Sequence, residues 1–287
     1  MGPIVPVPAD AAVEVRDVEY QRVGEEPLLA RVFQPRGVEA HAAVLDVHGG
    51  AWINGDRTSQ QGTSQAMAAG GVLVVAIDFR QPPDWPYPAS IVDVNLGTRW
   101  LRLHARELGA APGARVGAYG GSSGGHVVLL SAMRPRDPRY AALPLPGGEG
   151  IDATLDFLVT DAPVTDPQAR LEAAIAEGRD DLVERHHLYW PDAESPIDGN
   201  PTRILERKEP ADLPPLFVSQ GDADTAVPLE GTRKFVGLYE AAGGQVEFLT
   251  FPGLGHGFIL TEPSRPESIH QVEALRAFIR RVATVPE

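Results

Sequence analysis

The stretch RVGAYGGSSGGHVVLL, residues 115–130, runs small and apolar positions into a knot of glycine and serine that opens into an apolar, helix-like run. Such a knot can project a nucleophilic serine. A hydroxyl held above the carboxyl end of a buried strand needs a sharp strand-to-helix turn with strained backbone angles, so the positions two before and two after it must be small. Two G-x-S-x-G frames fit, Gly120 to Gly124 around Ser122 and Gly121 to Gly125 around Ser123. Strand register favours the first. With Val116, Ala118 and Gly120 on one strand face, the turn falls at 121–123 and a helix begins at Ser123. The Ser123 amide can then help bind an oxyanion, and Gly125 lets the helix approach the sheet. A phosphate-cradling loop would want G-x-G-x-x-G or a G-K-[ST] ending, and neither is present.

A serine hydroxyl is a weak nucleophile at neutral pH. It needs an imidazole base, and the base needs a carboxylate to fix its tautomer. Of eight histidines, His256 lies in GLGHGF (253–258), a glycine-flanked loop directly after the last expected strand. The segment SQGDADTAVP (219–228) offers Asp222 and Asp224 just past the preceding strand. Asp222, nearer the strand end, suits a turn-pinning role, and Asp224 is the preferred partner for His256. A developing oxyanion needs further amides, and VHGGAW (47–52) supplies a glycine-bearing loop at the end of an earlier strand. Gly50 and Ala51 are the candidate donors, with Ser123 opposite them, while His48 reads as a residue that pins the loop. Losing one such donor typically costs about 3 kcal/mol of transition-state stabilisation.

These groups must be positioned by strands and helices. Residues 12–23 and 27–35 alternate apolar and polar positions, as antiparallel strands exposed on one face do, and read as an edge hairpin. Then come continuous apolar runs at 42–50, 72–80, 115–121, 155–163, 215–222 and 246–253, each ending in glycine, proline or acidic residues. Runs of that kind fit strands buried on both faces of a parallel sheet. Helix-compatible stretches at 89–108, 124–134, 229–242 and 267–283 lie between them, the first with Val92, Leu96, Trp100 and Leu103 about one turn apart. The expectation is an α/β fold with a mostly parallel sheet of about eight strands and helices on both faces. Residues 164–211 break the rhythm with acidic patches, His186, His187, Tyr189, Trp190 and PDAESP. Long insertions in α/β folds are often lids, and this one is expected to cap a single domain spanning 1–287; a surface excursion packing its own aromatics is the alternative.

Composition narrows the partners. The chain has 287 residues, 43% of them hydrophobic, a formal net charge of −14 and no cysteine. Disulfides, thiolate metal sites and a cysteine nucleophile are therefore excluded. With no block of basic residues, a nucleic-acid backbone or an anionic membrane would be repelled. The histidines lack zinc-ligand spacing, so neither a metal nor an organic cofactor is expected. MGPIVPVPAD lacks a signal peptide's basic start and apolar core, Pro6 stands where myristoylation wants Ser or Thr, and no apolar run reaches the ~18 residues of a membrane span. The expectation is a cytoplasmic protein; the last strand and helix, at the sheet edge, could support a homodimer.

Several of these motifs, in order, resemble the hormone-sensitive-lipase-like carboxylesterases of the α/β-hydrolase superfamily. HGGAW (48–52) looks like their HGGG oxyanion motif, DFRQPPDWPYPAS (78–90) is similar to D-Y-R-L-A-P-E-x-P-F-P-A, and GGSSGG (120–125) is similar to the G-D-S-A-G-G elbow. GDADTAVP and GHGF match the acid and histidine loops. Ala51, Gly121 and Ser123 depart from the family's Gly, Asp and Ala. GGSSGGH and D-x-x-V-P also look like feruloyl-esterase, acetyl-esterase and kynurenine-formamidase-like relatives. The resemblance implies an α/β-hydrolase fold, here with a reduced cap dominated by 164–211, and the triad Ser122, Asp224, His256 acting on a small-molecule ester. An amidase or arylformamidase with the same triad, or a non-catalytic binder on the scaffold, is the alternative. Trp52, Trp85, Tyr189, Trp190 and Phe258 are candidate substrate-pocket walls, each equally readable as core or surface.

Overall fold

A computed structural model describes residues 13–284. The readings of MGPIVPVPAD and of a strand beginning at residue 12 fall on positions outside the described residues. The chain opens with β1 (Val13–Val23) and β2 (Glu26–Pro35), then β3 (Ala40–Val47), α1 (Gln61–Ala69), β4 (Val72–Ile77), α2 (Ala89–His104), β5 (Ala110–Gly121) and α3 (Ser123–Met133). It continues through β6 (Phe157–Asp161), α4 (Pro167–Ala176), α5 (Asp180–Tyr189), α6 (Ser195–Asp198), α7 (Pro201–Glu206), β7 (Leu216–Gly221) and α8 (Leu229–Ala241). β8 (Val246–Phe251), α9 (Phe258–Thr261) and α10 (Pro266–Ala283) complete it.

The eight strands form one sheet in the order β1-β2-β4-β3-β5-β6-β7-β8. β2 runs antiparallel to both β1 and β4, and every other neighbouring pair is parallel. Hydrophobic pattern explains the division. β4 (VLVVAI), β6 and β7 are buried at every position because helices cover both faces of the sheet there. β1, at the edge, buries only Val13 and Tyr20, alternates exposed and partly buried positions between them, and bulges between Glu19 and Gln21. On one face Ile91, Val94 and Leu101 of α2, the apolar residues of α3 and Phe235 of α8 pack on the sheet. On the other face lie Met67 of α1 and Leu275, Phe278 and Ile279 of α10. The stripe expected on α2 lies off its deepest line, since Ile91, Val94 and Leu101 are almost wholly enclosed whereas Trp100 is only partly buried. Among the described residues no helix is long and apolar enough to cross a membrane.

This topology places the site. β3 sits between β4 and β5, so the chain passes from β3 to one side and returns to the other. Loops leaving the carboxyl ends of β3 and β5 therefore face each other across a crevice, where open α/β sheets bind ligands. The helices α4 to α7 form an excursion between β6 and β7 that reaches over the same edge. Asp166 caps α4 through its side chain on the Ala169 amide, with Pro167 at the first helical position; Asn200 and Pro201 start α7 in the same way.

Candidate active site

Ser122 is the residue between β5 and α3, with φ 55° and ψ −122°. An L-residue held there costs roughly 1–3 kcal/mol, so surrounding structure must enforce it. It does so from both sides. The Ser122 amide donates to the Asp161 carbonyl at 2.8 Å, and the Ser122 carbonyl accepts from Val164 and His126. The glycines make the turn sterically feasible: a Cβ on Gly120 would lie 2.6 Å from the Gly124 carbonyl oxygen, and one on Gly124 would lie 2.1 Å from the Val47 oxygen. Those two glycines flank Ser122 at minus two and plus two; Gly121 and Gly125 are crowded as well, and it is the positive φ at Ser122, with Ser123 already helical, that favours the first of the two frames.

The His256 ring reaches this hydroxyl from the loop after β8. Ser122 Oγ and His256 Nε2 are 2.9 Å apart, and His256 Nδ1 and Asp224 Oδ2 are 2.7 Å apart. With Nδ1–H donating to the carboxylate, Nε2 is left to accept from Ser122. The Asp224 side chain is fully enclosed. Its Oδ1 accepts from the Ala226 and Val227 amides, each at 2.9 Å, and Oδ2 also accepts from Gln220 at 3.2 Å. Four donors in a buried setting hold that carboxylate in one orientation. Asp222 instead accepts from the Gly253 amide at 2.6 Å and pins the turn.

The loop after β3 closes the other wall. Gly50, Ala51 and Trp52 all have positive φ, at 111°, 52° and 67°. Gly50 is obligatory, because a Cβ there would sit 1.9 Å from the Asn54 oxygen. Gly50 and Ala51 line the cavity that contains Ser122 and His256. Ser123 is the first residue of α3, where no preceding carbonyl is available to its amide. Its hydroxyl points elsewhere, and Ser123 Oγ accepts the Trp52 amide at 3.0 Å, tying the β3 loop to the elbow. His48 stacks on Phe79 with centroids 4.2 Å apart and holds the Gly49 carbonyl through Nδ1 at 2.7 Å; burial lowers its pKa.

The five aromatic pocket candidates are not cavity walls. Trp52 turns inward on its left-handed backbone, stacks on Tyr189 with centroids 5.0 Å and planes 7° apart, and donates Nε1–H to His126 Nδ1 at 3.1 Å. Tyr189 donates to or accepts from Ser90, and Trp190 packs on Tyr87. These rings are buried because they fasten the α4–α7 excursion to α2 and α3. Phe258 is buried against Phe251, and Trp85 lies exposed under Arg80. The cavity beside Ser122 measures about 460 Å³ and is lined instead by Asn54, Asp161, Arg170, Leu182, Arg185 and Leu260, among others. His126 closes the GGSSGGH stretch but has no role legible in the sequence, and no motif marks Asp161. His126 is wholly buried, bonded through Nε2 to the Gly199 carbonyl at 2.7 Å, and burial lowers its pKa to about 4. Asp161, at the end of β6, accepts from Gln271 at 2.6 Å and Ser219 at 3.1 Å; burial raises its pKa, against the pull of Gln271 and His256.

The chain belongs to the α/β-hydrolase fold family, whose model matches residues 44–260. Within it the motif set puts the chain in the hormone-sensitive-lipase-like branch. It is 31% identical over 244 residues to a probable carboxylic ester hydrolase, LipM, of Mycobacterium tuberculosis, covering 83% of this chain and 54% of that protein. It is 32% identical over 268 residues to esterase LipC of the same organism, covering 87% and 62%. The chain thus spans little more than half to three-fifths of the length of these relatives. A hyperthermophilic esterase from the archaeon Pyrobaculum calidifontis has the same fold, with TM-score 0.77 and 23% identity over 95% of this chain and 87% of that one. An esterase of Thermogutta terrifontis, solved with propionate bound, superposes at TM-score 0.74, with 23% identity and 98% of both chains covered.

Proposed function

We propose that this chain is a serine carboxylesterase that hydrolyses small to medium carboxylic esters through an acyl-enzyme on Ser122. One observation carries the reading: the unbroken contact from the enclosed Asp224 carboxylate through His256 to a serine held at positive φ. His256 Nε2 takes the Ser122 proton as Oγ attacks the ester carbonyl. The imidazolium that results is stabilised by Asp224, which stays ionised. The amides of Gly50, Ala51 and Ser123 hold the developing oxyanion; the Trp52 amide is already spent on Ser123 Oγ. His256 returns its proton to the leaving alkoxide. It then draws one from water, which cleaves the acyl-enzyme.

The names of the mycobacterial relatives, a carboxylic ester hydrolase and an esterase, support ester chemistry. A cavity of about 460 Å³ suits a substrate of small to medium size. Residues 164–211 serve as the cap, since Arg170, Leu182 and Arg185 of α4 and α5 line that cavity. The test is turnover of p-nitrophenyl esters from acetate to decanoate, with matched anilides alongside. The expected result is ester hydrolysis well above anilide hydrolysis, and loss of roughly 10⁴-fold or more of kcat in Ser122→Ala. Anilides cleaved faster than their esters would favour the amidase reading. Turnover unchanged in Ser122→Ala would refute the assignment.

A further inference from the structure

Three arginines converge on the Ser122 cavity from the cap: Arg170 of α4, Arg185 of α5, and Arg179 between them. Arg179 is paired with Asp181 at 3.3 Å. The other two are not paired. Among the described residues Arg170 makes no ion pair and no side-chain hydrogen bond, although it is only 5% exposed and its Nε is sealed without a partner. Arg185, half-buried, likewise has neither. Burial first, then the neighbouring Arg185 and Arg179, lowers the Arg170 pKa to about 10, so it remains cationic at neutral pH. An enclosed guanidinium with no anion in contact is costly. Asp181 also lines the cavity, but it is held by Arg179 and acts on Arg170 and Arg185 only as a longer-range charge. The rest of the molecule makes the concentration of cations more pointed, because the chain carries a net charge of −14.

We propose that the ester taken by this site carries a free carboxylate, received by Arg170 and Arg185 while the ester carbonyl lies at Ser122; this rests on the esterase reading above. A guanidinium fork matches a carboxylate in geometry and charge. The bland account is that Arg170 packs its plane over Trp52, 5.2 Å from the ring centroid. That contact uses one face of the guanidinium and leaves its N–H edges, and Arg185, without a function.

The test uses two charged and neutral pairs. In p-nitrophenyl hydrogen adipate and its methyl-capped twin the charge sits on the acyl portion; in 4-acetoxybenzoate and its methyl ester it sits on the leaving group. The proposal expects kcat/KM to favour the charged member of at least one pair by about 10- to 100-fold at low salt. That ratio should fall at least tenfold in Arg170→Met, which keeps the bulk over Trp52, and in Arg185→Gln, which alters a half-exposed position and carries the test if the first variant fails to fold. A wild-type ratio at or below one in both pairs overturns the proposal while leaving the esterase reading standing. So does a ratio unchanged in both variants. If none of the four esters is cleaved, the esterase reading falls, and calorimetry of adipate with the Ser122→Ala chain decides the anion site. Binding that disappears on adding Arg170→Met supports it, and no binding overturns it.

Discussion

Gly124→Ala places a methyl group between α3 and the loop that carries the proposed oxyanion donors. The added Cβ would stand 2.1 Å from the Val47 carbonyl oxygen and 2.5 Å from that of His48. Both obstacles are backbone, so no side-chain rotation relieves them. The end of β3 and the first turn of α3 must separate by about 1 Å to restore an acceptable contact. Overpacking of this kind costs about 1–3 kcal/mol of stability. A shift of about 1 Å between Ser122 and the Gly50 and Ala51 amides costs on the order of 10²-fold in rate. The assay is kcat for p-nitrophenyl acetate together with a thermal melt. Gly237→Ala is the control, since it lies inside α8 with nothing within 4 Å and should gain up to about 1 kcal/mol. Gly124→Ala with wild-type turnover and melting would refute the account of the elbow.

Removing the Ser123 hydroxyl with Ser123→Ala leaves the buried Trp52 amide without its acceptor; a loss of about 1–3 kcal/mol in denaturant titration is expected, with kcat falling and KM little changed. Tyr189→Ala should cost about 3–5 kcal/mol in the same titration, because the ring is core and fastens the cap; a pure KM effect at full stability would restore it as a pocket wall. Burial raises the Asp46 pKa from 3.8 to about 7, against hydrogen bonds from Ser64 and Gln60. The folded protein therefore binds a proton that the unfolded chain releases near pH 4, and this contribution to stability, up to about 4 kcal/mol, is complete below pH 4 and lost as pH rises towards 7. Asp46→Asn should flatten that slope in melts from pH 4 to 8, and parallel wild-type and variant curves would exclude the mechanism.

Much of the fold was legible because buried parallel strands write continuous apolar runs between glycine and proline breaks. The six runs from residue 42 onward each correspond to a strand, and the alternating segments before them form the antiparallel edge. α1 was not legible. Its sequence, QGTSQAMAA, holds glycine, threonine and serine, lacks a capping side chain, and is helical because Met67 and Ala68 pack on the sheet. At the site, local backbone demands are written in residue type, which is why glycine spacing marks the turn at Ser122 and the loops bearing Asp224 and His256, three side chains that lie in hydrogen-bond contact. Pocket walls are not written that way. Aromatic identity says nothing of direction, and the positive φ at Trp52 sends its ring inward to Tyr189. Arg170 and Arg185 sit in an acid-rich stretch that reads as solvated surface, and only the docking of α4 and α5 over the sheet edge turns them towards Ser122.

The central claim is that the hydroxyl of Ser122 is the reacting group and that its neighbour's is not. Treating the chain with a fluorophosphonate and sequencing the 115–134 peptide by tandem mass spectrometry reads this directly. The account predicts one phosphonyl group, on Ser122, absent from Ser122→Ala and strongly slowed in His256→Ala. Label on Ser123, or label that persists when Ser122 is alanine, would contradict it.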